Sequence, residues 1–219
     1  MPDSTGVRTM DASFHALLEA DTNATFISDA LRVDAPLPPG PSLVPVERYT
    51  SRKYHDLEVE RLWKKCWQVA AHEDDFPNVG DVVPYDIANL SFLIVRAGEN
   101  EYKAYYNACL HRARKLRESR GTALTELRCP FHGWAWNLNG SLKQIPCAYD
   151  YAGLKKEDEA LPEVKLERWG RFIFINPDPD CDSLASHLGD LDSHFELLPY
   201  NKRYKAAHVG KVIKANWKV

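Results

Sequence analysis

The chain has no apolar run approaching the ~18 residues that a membrane-spanning helix needs, so no transmembrane segment is expected. Its opening, MPDSTGVRTMDASFHALLEA, lacks the basic start and hydrophobic block of a secretory signal. It also lacks an excess of charge of one sign. With 28 basic and 31 acidic side chains, the net charge is −3, which offers nucleic acid or an anionic membrane no electrostatic purchase. Cysteine is scarce, at five residues in 219. Cys66, Cys147 and Cys181 read as ordinary thiols of a reducing cytoplasm rather than bridge partners. Absent too are the Cys-x₂₋₄-Cys and His-x₃₋₅-His pairs that usually build a structural zinc site.

What is present is a different pattern. NACLHR holds Cys109 and His111, and RCPFHGW holds Cys129 and His132. The order is Cys-x-His, 17 residues, then Cys-x-x-His. This divides thiols and imidazoles evenly between two loops. In a Rieske centre two thiolates hold one iron and two imidazoles hold the other, so each loop reaches both metals. Two ferric ions, two sulfides and two thiolates sum to zero charge. An all-cysteine site is harder to reduce because it starts from minus two. The mixed set therefore raises the potential, to roughly −150 to +300 mV against about −400 mV for plant-type ferredoxins. Pro130 restricts the loop backbone, and Gly133 allows a close approach that a Cβ would block. A Cys₂His₂ zinc module with no redox role is the competing reading of the same four residues.

At these residues the chain resembles the α subunit of the Rieske-type aromatic ring-hydroxylating oxygenases. The likeness takes in the CPFHGW box, WNLNGSLKQIP at 136–146, RFIFINPDP at 171–179 and ANWKV at 215–219, and it covers about residues 46 to 219. Respiratory Rieske proteins carry an additional cysteine in each ligand loop, whereas HRARK and CPFH here have none to spare. One position departs from the family: a glycine is usual two residues after the first histidine, and this chain has Ala113. If that position needs positive φ, alanine costs about 1–2 kcal/mol.

The resemblance implies a mainly β fold: an antiparallel β-sandwich Rieske domain with an N-terminal helix, then the beginning of an α+β catalytic domain. It implies a [2Fe–2S] cluster on Cys109, His111, Cys129 and His132. A mononuclear Fe(II) is expected only in a C-terminal domain beyond these residues. The parent would take electrons from a ferredoxin or reductase and hydroxylate an aromatic small molecule. It would be a homotrimer, possibly with β subunits, in the cytoplasm. A stand-alone Rieske ferredoxin is the alternative. Such carriers end soon after their last strand, and some forty residues follow Pro179 here.

Three regions are expected along the chain. Residues 1–45 form an arm, with Pro36, Pro38, Pro39, Pro41 and Pro45 favouring extended chain. Residues 46–180 form the Rieske domain, led by a helix near Ser51–Cys66 with Ser51 as cap and Leu57, Leu62, Trp63 and Cys66 facing the core. Eight short β segments follow: WQVAAH, DVVPYDI, LSFLIVR, EYKAYYN, TALTELRC, WAWNLN, SLKQIP and RFIFIN. Asn139-Gly140 predicts a two-residue hairpin with both residues at positive φ. Residues 181–219 open the catalytic domain. A helix is expected over Ser183–Leu198, and a strand from about Tyr204, since Ile213, Ala215, Trp217 and Val219 alternate with polar residues.

Two further groups invite a functional reading. His187, Asp190, Asp192 and His194 offer the residue types of a 2-His-1-carboxylate iron site. On one helix, however, the histidines lie seven residues apart, about 10.5 Å along the axis. Solvated helix histidines are the expectation. Arg112, Arg114, Lys115, Arg117 and Arg120 gather beside the first ligand loop. They are either a solvated face or a landing surface for an acidic electron donor.

Overall fold

The protein is described here from a computed structural model. It describes residues 43–219 apart from Leu197, together with residues 16 and 20 and a short strand pair, β1 (Val7–Arg8) with β2 (Ala35–Pro36). Most of the expected arm, 1–45, lies outside the described residues.

The β segments account for the body of the molecule. A six-stranded antiparallel sheet runs in the order β3-β11-β10-β6-β5-β4. Its strands are β3 (Gln68–His72), β4 (Val82–Ile87), β5 (Leu90–Arg96), β6 (Tyr102–Tyr106), β10 (Glu163–Trp169) and β11 (Phe172–Asn176). A three-stranded sheet, β7 (Leu127–Arg128), β8 (Ala135–Trp136) and β9 (Leu142–Gln144), stands beside it. β10 is absent from the eight expected segments, although Val164 and Leu166 alternate with charged residues. The segments around the ligand loops are shorter than expected, because turn geometry takes up most of TALTELRC and WAWNLN.

Alternation on β5 shows how the sandwich closes. Phe92 and Ile94 point to one side, into a core with Phe76, Val83, Ala104, Val164, Ile173 and Ile175. Leu93 and Val95 point to the other, into a core shared with Leu127, Trp136 and Leu142 of the small sheet. A strand buried on both faces reads as a nearly continuous apolar run, which LSFLIVR is. The two thiol-bearing residues, Cys109 and Cys129, belong to the core between the sheets.

Several expectations change. The leading helix is broken into a turn at Glu47–Thr50, a helix at Arg52–Glu58 and a π-helical turn at Val59–Trp63. Ser51 occupies the N-cap position, but its side chain caps nothing. Of this region only Val59 is buried, and Leu57 is exposed, so the apolar stripe is not a core face. The hairpin between β8 and β9 forms, with Asn137–Gly140 as its turn: Gly140 N–H donates to the Asn137 carbonyl at 2.9 Å. Only Gly140 has positive φ (83°). A Cβ there would lie 2.6 Å from the Tyr105 ring.

Past Pro179 the expected helix is two short ones, Leu184–Leu188 and Leu191–His194, parted at Gly189. No strand forms from Tyr204 onward; alternation alone makes a strand only where an edge is available to pair. ANWKV docks on the leading helix instead. Trp217 meets Trp63 edge-on at 5.0 Å, and the Glu58 carboxylate accepts from Trp217 Nε1 (2.9 Å) and Lys218 Nζ (2.6 Å).

Candidate metal centre

Two loops carry the four residues singled out above, and they share one backbone design. In the first, Cys109 N–H donates to the Arg114 carbonyl (2.8 Å) and Ala113 N–H donates to the Cys109 carbonyl (2.8 Å). In the second, Cys129 N–H donates to the Trp134 carbonyl (2.8 Å) and Gly133 N–H to the Cys129 carbonyl (3.2 Å). Both loops turn through a left-handed residue four places after the cysteine: Ala113 (φ 54°) and Gly133 (φ 76°). The conformation suspected for Ala113 from sequence is therefore present. Histidine stands two places after the cysteine in one loop and three in the other, so the imidazoles leave the two turns at different points.

Burial separates the donors by type. Cys109 and Cys129 are 3% and 2% exposed, whereas His111 is half-buried and His132 exposed. The imidazoles are neighbours, with centroids 4.6 Å apart at 63°. The two thiols are also neighbours. Burial pushes the Cys109 thiol above its ordinary range, against the amide N–H groups of His111 and Arg112, and the adjoining Cys129 thiol adds to the rise. Burial, followed by repulsion from the neighbouring His132 ring and the Arg112 guanidinium, pushes His111 down. Both directions favour the forms that a metal would have to convert or accept. Thiol beside thiol and imidazole beside imidazole is the grouping for two ions. Among the described residues no three His, Cys, Asp or Glu side chains converge on a single ion position.

His111 presents one nitrogen to the interior and the other to a hydroxyl. Its Nδ1 is buried and has no hydrogen-bond partner, while Nε2 lies 3.3 Å from the Tyr151 hydroxyl. An orphaned, buried nitrogen on a ring that abuts His132, two residues after the buried Cys109, fits an iron–sulfur cluster.

Comparison with known proteins agrees. Residues 66–157 match the Rieske [2Fe-2S] domain family. The chain carries a Rieske [2Fe–2S] domain. It is related to the α subunits of Rieske oxygenases. It is 32% identical over 177 residues to the carnitine monooxygenase oxygenase subunit of Escherichia coli (strain K12), covering 80% of this chain and 47% of that protein. To the chloroplastic choline monooxygenase of Beta vulgaris it is 29% identical over 192 residues, covering 85% and 43%. The crystal structure of naphthalene 1,2-dioxygenase from Rhodococcus sp. bound to indole superimposes with a TM-score of 0.64 at 36% identity, over 70% of this chain and 35% of that one. The chain thus spans less than half the length of these relatives.

Two residues that touch the Rieske loops carry no signal in the sequence. Asn107, buried at the end of β6, accepts from the backbone N–H groups of Leu116 (2.9 Å) and Arg117 (3.1 Å). Its amide donates to Ser91 Oγ (3.0 Å) and to the Arg117 carbonyl (2.7 Å). It fastens the exit of the first loop to β5. Tyr151 reaches His111 from a 3₁₀ turn, Ala148–Tyr151, far along the chain. Nothing in an isolated Asn or Tyr marks such a role.

The other two groups are placed as follows. His187, Asp190, Asp192 and His194 are all exposed, and Asp192 accepts from Trp169 Nε1 (2.7 Å). The break at Gly189 removes the single helix assumed above. The four still form no ligand set. Of the basic residues, Arg114 pairs with Glu118 (3.2 Å), Lys115 with Asp86 (3.0 Å) and Arg120 with Asp75 (2.6 Å). Arg117 is bonded to the carbonyls of Ser119 and Arg120. Most of that positive charge is spent within the Rieske domain.

Proposed function

We propose that Cys109 and Cys129 hold one iron of the Rieske cluster and His111 and His132 the other. We further propose that the chain is the electron-accepting part of a longer oxygenase. The observation that carries this reading is the polarity of the site: buried thiols side by side, imidazoles at the rim, and a bare buried Nδ1 on His111. When bound, the cluster supplies one-electron chemistry at a mildly raised potential. The chain's own work is to keep the thiol side dry and to present the imidazole edge outward.

In this reading residues 46–180 are the Rieske domain with its leading helix, and 181–219 open the catalytic domain. The electrons come from a ferredoxin or reductase and go to a mononuclear Fe(II) held outside these residues, in a homotrimeric parent. All five thiols are free, which fits a reducing cytoplasm. Among the described residues no helix is long and apolar enough to cross a membrane. The substrate is an organic molecule hydroxylated with O₂. The family resemblance favours an aromatic ring, while the relatives named for carnitine and choline favour a quaternary ammonium compound.

Iron and sulfide analysis together with EPR after dithionite tests the cluster. About two irons and an equal amount of sulfide per chain, with a red-brown colour that bleaches, is the expected result. A colourless protein with one zinc overturns it. The full-length protein, given reductant and O₂ with aromatic and quaternary ammonium panels, tests the rest. Product from either panel supports the oxygenase and selects its substrate. Reoxidation with no product from any substrate favours the stand-alone carrier.

A further inference from the structure

The two imidazoles are not held alike. His111 is gripped by its own chain: Trp134 lies parallel to it (5.3 Å, 6°), and Tyr151 presents its edge to both rings (5.9 Å and 5.3 Å). The Tyr151 hydroxyl stands 3.3 Å from Nε2. His132 is exposed, and among the described residues its ring neighbours are Phe131 and His111. The turn that delivers Tyr151 starts at Cys147, a non-glycine residue in the left-handed region (φ 53°, ψ 44°). The fold thus accepts backbone strain at the base of this turn.

An imidazole that binds metal through one nitrogen carries its proton on the other, and the partner of that N–H fixes tautomer and ring orientation. We propose that Tyr151 is a positioning residue for His111. Its Oη accepts the Nε2–H bond, which leaves Nδ1 bare on the buried side and makes the two histidine ligands electronically unequal. An acceptor on Nε2–H makes the ring a better electron donor through Nδ1, which favours the oxidised cluster. Removing that acceptor should move the midpoint potential in the positive direction. The inference rests on the ligand assignment proposed above.

Tyr151→Phe, in the cluster-loaded chain, deletes the hydroxyl and keeps the ring edge against Trp134. The readouts are an EPR redox titration, pulsed EPR of ¹⁵N-histidine couplings, and release of iron to a chelator. The expected result is a positive shift of midpoint, a change in one histidine's couplings but not the other's, and release about tenfold faster. Tyr149→Phe, which deletes the hydroxyl of an exposed tyrosine in the same turn, should match the parent in all three. Tyr151→Leu removes the ring edge as well. If Tyr151→Phe loads poorly, equal failure of the Leu variant assigns the effect to the hydroxyl. A Phe variant that behaves as the parent, with only Leu defective, assigns it to ring packing and overturns the proposal. A parent with no Rieske-type EPR signal overturns the ligand assignment and this inference with it. A parent with the signal and an unmoved Tyr151→Phe overturns this inference alone.

Discussion

Ala113 shows what one methyl group costs in the first Cys/His loop. Its φ of 54° places it in the region that disfavours a Cβ by roughly 1–2 kcal/mol. Glycine would relieve that strain and return about 0.5–1 kcal/mol through the greater freedom of the unfolded chain. The net expectation for Ala113→Gly is a stabilisation of about 0.5–1 kcal/mol, read from urea unfolding of the loaded chain. An unchanged or lower midpoint denies the strain. The twin position should respond in reverse. At Gly133 a Cβ would lie 3.2 Å from Pro146 Cγ at a φ of 76°, so Gly133→Ala should destabilise the second loop and release iron faster. Asn107 is the polar counterpart. It is buried with four hydrogen bonds, and Asn107→Ala strands backbone donors of Leu116 and Arg117, at a cost of about 3 kcal/mol in the same measurement.

At the scale of elements, the ligand loops and the sheet that carries them differ in what holds them. β5 and β6 are paired along their length and buried on both sides. The loops 109–114 and 129–134 are each closed by two backbone bonds and are otherwise joined by their side chains. Metal binding contributes free energy that the bare loops lack. Removing iron should therefore expose the amides of Cys109, Ala113, Cys129 and Gly133 to hydrogen exchange while β5, β6, β10 and β11 stay protected. Equal protection of both loops with and without iron would sink this coupling. The β8–β9 hairpin is tied independently, through Tyr105 Oη to the Leu138 carbonyl (3.1 Å) and Trp136 Nε1 to the Glu159 carbonyl (2.8 Å). It should remain protected in both forms.

At the scale of the whole molecule, an acidic turn, Glu73–Asp75, joins three distant parts of the chain. Arg168 and Arg171 pair with Glu73, Arg171 with Asp74, and Arg120 and Lys205 with Asp75. Lys205 belongs to the segment after the sheet, and Arg120 follows the first ligand loop. Burial opposes the Asp75 charge, but Lys205, Arg120 and the His72 N–H hold its carboxyl down to about 2. A depressed carboxylate stabilises above its unfolded value near 4, and that contribution is lost as the pH falls toward about 2. Asp75→Asn should cost about 1–2 kcal/mol at pH 7 and leave a flatter acid limb. Trypsin should then cut sooner after Lys202, Arg203 or Lys205, with the sheets intact. Unaltered cleavage would show that the segment is held by other contacts.

Sequence alone determined the parts of this protein whose chemistry is local. Cys-x-His and Cys-x-x-His point to the proposed ligand set because those donor types, at those gaps, suit two metals. LSFLIVR and RFIFIN are strands because their apolar residues fill both faces or one. The tight approach at Gly133 and the left-handed Ala113 were legible for the same reason: a single residue's backbone decides them. Tertiary structure alone decided what depends on a partner far along the chain. β10 pairs β6 and β11, and its alternation is too polar to stand out without them. ANWKV has the period of a strand, yet it packs on Trp63 and bonds to Glu58, contacts that its alternation does not encode. Tyr151 meets His111 and Asn107 holds Arg117 across 40 and 10 residues of sequence, and periodicity carries no record of such reach.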